Sequence, residues 1–210
     1  ILIWVDDDGQ SMAGEYESVE LVPDETVKYF AGSVVVAALT AAFAQFAVPY
    51  PLSSAPFTLQ TVGVYLAGLV LGPVWGAFSL LLYAVAGAAG APVFGGGGSG
   101  VGVLTGPTGG YIVSFPIAAA VIGGLVHRRV TPRRLDDVSI PLQVGALAVG
   151  LGIVYLVGSV WLATQLEYSL TKGLVQGGLV FVPGDALKAL AVMGLVTGGY
   201  LTGIVDEFAG

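Results

Sequence analysis

From Tyr29 to Val126 this chain contains no Asp, Glu, Lys, Arg or His, an uncharged stretch that covers nearly half of its length. A water-soluble domain carries charge on its solvated faces, roughly a quarter of its residues. Here 10% of the residues are charged and 55% are hydrophobic. Only lipid, or protein packed against lipid, accommodates such a stretch. The chain has no cysteine and one histidine, which excludes disulfides and thiolate metal sites, and no metal site is expected.

Apolar runs punctuated by Gly and Pro predict an all-α integral membrane protein, a compact bundle of six transmembrane helices at about 30–48, 58–71, 74–89, 111–126, 142–162 and 186–205. The second and third are separated by Gly72-Pro73 alone, which makes them a tight helical hairpin. Residues 29–210 form the membrane-embedded binding domain. Residues 1–28 form an acidic leader holding Asp6, Asp7, Asp8, Glu15, Glu17, Glu20, Asp24 and Glu25, which supplies most of the formal charge of −7. It lacks the basic start and apolar core of a signal peptide and is expected to be solvated or frayed, its start without a methionine suggesting trimmed or appended sequence. His127-Arg-Arg-Val-Thr-Pro-Arg-Arg134 is the basic cluster, so the positive-inside rule predicts that this connection and both termini are cytoplasmic. The connections 49–57, 90–110 and 163–185 then fall outside.

Those three connections hold most of the unusual residues, as a cavity open to the outside would require. Asp185 and Lys188, three apart in Val182-Pro-Gly-Asp-Ala-Leu-Lys188, share one helix face. A charge in the hydrocarbon layer costs roughly 2.5–3.5 kcal/mol on insertion scales, so such groups pair, face a cavity or bind something. A carboxylate beside an ammonium suits a ureido group, and equally an amide or a carboxylate. The plainer alternative is an Asp185 helix cap beside a snorkelling Lys188. The glycine-rich stretch from Gly90 to Gly110 carries Pro and aromatic residues and predicts a folded lid whose backbone approaches a ligand. No Gly-Lys-Ser/Thr follows its glycines, so the chain does not itself hydrolyse ATP. Gly97-Gly-Ser-Gly100 matches the nucleophile pattern of rhomboid proteases, but His127, here a residue of the basic loop, is predicted at the opposite side from Ser99. Ala37, Ala38, Ala41 and Ala42 form two overlapping Ala-x-x-x-Ala patterns, which let helices approach closely in lipid, within the bundle or against another subunit. Trp75, Trp161, Tyr50 and Tyr168 sit near span ends, where aromatic belts are expected.

In order along the chain, Pro56-Phe-Thr-Leu-Gln-Thr61, Leu71-Gly-Pro73, Gly90-Ala-Pro-Val-Phe94, Gly106-Pro-Thr-Gly-Gly-Tyr111 and Pro183-Gly-Asp-Ala-Leu-Lys188 resemble the successive signatures of BioY, the biotin-binding S component of energy-coupling-factor (ECF) transporters. The resemblance covers roughly residues 34–202. It implies a six-helix plasma-membrane protein that binds biotin from outside and works in the lipid bilayer with a transmembrane T component and two cytoplasmic ATPase subunits, which bind the ATP. It also implies that Asp185 and Lys188 hold the biotin head group, that Phe57, Thr58, Gln60, Phe94, Gly95, Ser99, Gly109 and Tyr111 complete the site, and that Ala37, Ala38, Ala41 and Ala42 dock the T component. No cofactor of its own and no nucleic-acid partner is expected. The alternatives are an S component for another vitamin, a facilitator working without ATPases, and, disfavoured, an intramembrane serine protease.

Overall fold

The computed structural model describes residues 23–208. Residues 1–22 of the predicted leader lie outside the described residues. The first helix, α1 (Asp24–Ala44), begins inside the stretch assigned to that leader. Asp24 and Glu25 occupy its first turn, where the helix dipole favours negative charge. It leads into a two-residue antiparallel ribbon of β1 (Ala47–Val48) and β2 (Phe57–Thr58), with Ala47 opposite Thr58 and Val48 opposite Phe57. Then follow α2 (Gln60–Ala88), α3 (Val101–Thr105), α4 (Gly109–His127), α5 (Ile140–Gln165), α6 (Leu170–Gly177), α7 (Val182–Thr197) and α8 (Thr202–Asp206).

Helix α2 is two helices run together. At Gly72 the backbone adopts φ 74°, a conformation open to glycine and costly to other residues, and Pro73 restarts the helix in the reverse direction. The two halves lie antiparallel: Gln60, at the start of the first, donates to the Tyr83 hydroxyl near the end of the second at 2.6 Å. Both halves are therefore short, as the spacing around Gly72-Pro73 predicts.

The connection expected at 163–185 is helical instead. From Leu170 the chain folds back along α5, with Gly173 against Ala163 and Gly177 against Ser159. A 3-10 turn at Leu179–Phe181 then joins α6 to α7. Glycines that read as loop punctuation serve here as contact points for a close helix pair, so the last crossing begins well before the expected residue 186 and its helix ends at Thr197. The loop at 90–110 likewise contains α3.

Among the described residues, five helical runs are long and apolar enough to cross a membrane, namely α1, α2, α4, α5 and the α6–α7 run. The core sits where α2 and α4 meet, flanked by α1 and α5, and holds Leu69, Leu80, Ile122 and Leu147. Val35, Leu81, Ile117, Leu156 and Leu190 are exposed on the outer faces, an arrangement that lipid permits and water would penalise.

One end of the bundle carries the arginines. His127 is the last residue of α4 and is only 1% exposed, not a solvated loop residue. Its Nδ1 accepts the Arg133 backbone N–H at 3.2 Å, so the proton sits on Nε2, which donates to the Leu69 carbonyl at 3.0 Å. The imidazole thus ties the basic loop to the α2 hairpin. The C-terminal segment closes the same end: Arg134 pairs with Asp206 at 3.3 Å, and Tyr29 donates to the Phe208 carbonyl at 2.5 Å.

Candidate functional site

At the other end a cavity of about 280 Å³ opens between the start of α2, α4, α5 and α7. Its polar pole is the Asp185–Lys188 pair, with Asp185 3% and Lys188 8% exposed. One carboxylate oxygen of Asp185, Oδ1, accepts from Lys188 Nζ at 2.8 Å and from the Thr61 hydroxyl. The other, Oδ2, accepts from the Tyr155 hydroxyl. Lys188 Nζ also donates to the Thr58 carbonyl and, at 3.3 Å, to Thr61 Oγ1. The ammonium lies 3.8 Å from the centre of the Phe57 ring, a cation–π contact that covers it from the loop side. Asp185 stands in the first turn of α7 but makes no helix cap, and Lys188 reaches back across the site and does not snorkel outward.

Local sequence explains the convergence. Pairing of β1 with β2 fixes Phe57 and Thr58 next to the start of α2, so the Thr58 carbonyl, Gln60 and Thr61 share one edge of the cavity. Thr58 Oγ1 donates to Gln60 Oε1 at 2.9 Å, while Gln60 Nε2 is held by Tyr83. On α7, Gly184 lets the helix approach the Phe57 ring, since a Cβ there would fall 2.4 Å from a ring carbon. The walls are apolar: Ile112 and Phe115 from α4, Val154 from α5, Phe181 from the 3-10 turn and Val103 from α3. Phe57, Phe181, Tyr50 and Tyr155 form a chain of ring contacts, with centroids 5.4–6.5 Å apart.

The structure brings together seven of the residues anticipated from sequence, Phe57, Thr58, Gln60, Gly95, Tyr111, Asp185 and Lys188, all on the cavity wall. Three others do not line it. Phe94 is fully buried behind it, edge-on to Tyr83 with ring centroids 5.5 Å apart, because an aromatic in a glycine-rich loop anchors that loop to the core. Ser99 is exposed on the loop, and Gly109 is buried at the start of α4 against the Leu104 backbone. Ser99 precedes the start of α4 and His127 ends it, about 28 Å away at 1.5 Å per residue, which leaves the serine without a base. Sequence reasoning missed Thr61, Tyr155, Phe115 and Phe181 as lining residues. A hydroxyl amid the apolar run around Tyr155 was the available signal; Phe115 and Phe181 gave none. Ala38 and Ala42 face outward on α1, while Ala37 and Ala41 pack partly against the core.

A family model described as the BioY family matches residues 17–203. The chain belongs to the BioY family. The probable biotin transporter BioY of Pyrococcus horikoshii is 41% identical over 152 residues, which cover 72% of this chain and 83% of that protein. The biotin transporter BioY of Thermotoga maritima is 36% identical over 146 residues, 70% of this chain and 80% of that protein. Among solved structures, a crystal structure at 2.1 Å of the S-component for biotin from an ECF-type ABC transporter superposes with a TM-score of 0.79 at 25% identity, covering 90% of this chain and 100% of that one. With its several long apolar helices, this BioY-family chain is a multi-pass membrane protein.

Proposed function

We propose that this BioY-family chain is the substrate-specificity component of a biotin uptake transporter. The observation that carries the reading is a buried Asp185–Lys188 pair at the base of an apolar cavity open at one end of the bundle. Relatives described as biotin transporters support the choice of ligand. At about 280 Å³ the cavity lies just under the usual small-molecule range of roughly 300–1,000 Å³, a size for one compact head group. The fused rings of biotin would rest against Phe57, Phe115, Phe181 and Tyr111. An N–H of the ureido group would donate to Asp185, and its carbonyl would compete with the Thr58 carbonyl for a proton of Lys188. The chain performs no covalent step in this role.

Counting the α2 hairpin as two passes and α6–α7 as one gives six crossings. An even number puts the start of α1 and the end of α7 on one side, the side of the arginine loop that follows the fourth crossing, which the positive-inside rule makes cytoplasmic. The cavity then opens outward. The outer face of α1, with Ala38 and Ala42, would dock a transmembrane T component, and two cytoplasmic ATPases would bind the ATP. The test is a titration of the purified protein with labelled biotin, using other vitamins as competitors. Saturable binding displaced by biotin alone is expected. Displacement by a different vitamin reassigns the ligand, and uptake by cells lacking the ATPases makes the chain a facilitator.

A further inference from the structure

We propose that Tyr155 is a positioning residue for ligand recognition: its hydroxyl fixes the rotation of the Asp185 carboxylate so that the one acceptor site left on Oδ2 faces the cavity. The inference rests on the biotin-binding reading above and deepens it. An ionised carboxylate has about four acceptor sites, two on each oxygen. Oδ1 uses both, for Thr61 on α2 and for Lys188 one turn along α7. Oδ2 uses one, for Tyr155 on α5. One remains. The ammonium is in the opposite condition, because its three protons go to Asp185 Oδ1, the Thr58 carbonyl and Thr61 Oγ1. What the ligand-free pair offers directly is therefore an acceptor, and a ligand N–H satisfies it without breaking any bond already made.

The direction of that acceptor depends on Tyr155. The terminal torsion of an aspartate is soft and roughly two-fold, so bonds to Oδ1 alone leave Oδ2 free to swing. Tyr155 approaches from a different helix and closes the third side. It has no packing task that needs its hydroxyl: the ring stacks on Phe181 with centroids 6.5 Å apart and planes 26° apart, a contact that phenylalanine would keep. Thr61, Tyr155, Asp185 and Lys188 all line the cavity, and because Thr61 and Lys188 already fill Oδ1, the oxygen that can still take a ligand N–H there is Oδ2, the one Tyr155 holds.

The experiment compares the unmutated protein with Tyr155→Phe, purified alike, in two measurements. One is the biotin dissociation constant. The other is the infrared carboxylate stretch of the ligand-free protein, with the Asp185 band identified by its loss in Asp185→Asn. Tyr155→Phe is expected to weaken biotin binding about tenfold, because the carboxylate must then be ordered as the ligand binds. It is also expected to move the Asp185 band. Tyr111→Phe, whose lost hydroxyl serves the Gly177 carbonyl, should leave that band in place. Unchanged biotin affinity in Tyr155→Phe overturns the proposal and leaves the biotin reading intact. Weakened affinity with an unmoved band also overturns it and assigns the residue to packing. Failure of the unmutated protein to bind biotin removes both.

Discussion

A carboxylate and an ammonium placed three residues apart in a membrane helix hold their charges only if each finds partners, and here the partners come from other elements. Thr61 and Thr58 on one side and Tyr155 on the other satisfy what Asp185 and Lys188 cannot give each other. Breaking such a pair leaves a lone buried charge, which costs on the order of 3–5 kcal/mol when desolvation is complete. Asp185→Asn and Lys188→Ala are each expected to weaken biotin binding at least about tenfold while the protein still inserts and stays monodisperse. Isothermal titration decides this, and unchanged affinity in both variants would leave the pair a purely structural one. Gly184 makes a second residue-scale prediction. A valine there drives its Cβ into the Phe57 ring that covers Lys188, so the cover must shift. Overpacking of this kind costs about 1–3 kcal/mol, and Gly184→Val is expected to weaken biotin binding by roughly tenfold in the same titration. An affinity within twofold of the original would show that the loop moves aside without consequence.

At the scale of elements, glycines do two different jobs that a linear reading confuses. Gly72 reverses the chain and splits one helical run into a hairpin, which the adjoining proline announces. Gly173 and Gly177 instead let α6 lie against α5, so a stretch that reads as a loop enters the bundle. The proposed six-pass topology carries a labelling prediction. A cysteine at Ser99, on the loop at the cavity end, should react in intact cells with an impermeant thiol reagent. A cysteine at Val130, 62% exposed on the arginine loop, should react only after permeabilisation. The reverse pattern inverts the bundle and points the cavity at the cytoplasm, which is incompatible with capture from outside.

Across the whole molecule, the proposed binding site and the proposed docking face occupy separate regions. The cavity lies among α2, α4, α5 and α7, whereas Ala38 and Ala42 occupy the outward face of α1 beside exposed Val35 and Leu39. Sites that share no partners are expected to act independently. Replacing Ala38 and Ala42 together by leucine should therefore leave biotin affinity within about twofold and abolish ATP-driven uptake, because bulky side chains hold a partner helix away. Binding by the purified variant and uptake by cells that also express an energising module are measured in parallel. Uptake at the unmutated rate would make this face ordinary lipid-facing surface. Loss of both activities would mean that the alanines support the fold.

The membrane class, the hairpin at Gly72-Pro73 and the pairing of Asp185 with Lys188 follow from local chemistry, since the absence of charge, a Gly-Pro break and a spacing of three are properties of neighbouring residues. The motifs carried half of the cavity wall for the same reason: Phe57, Thr58 and Gln60 are contiguous with the turn that positions them. What lies far apart in sequence was decided only by tertiary packing. Tyr155 reaches Asp185 across 30 residues and His127 reaches Leu69 across 58, and although the Tyr155 hydroxyl stands out in an apolar run, nothing local names its partner or that of His127. Phe94 shows the reverse, an aromatic inside a suggestive motif that the packed structure turns to the core. A sequence determines which groups must be buried; which buried group meets which depends on how helices from different parts of the chain close around one another.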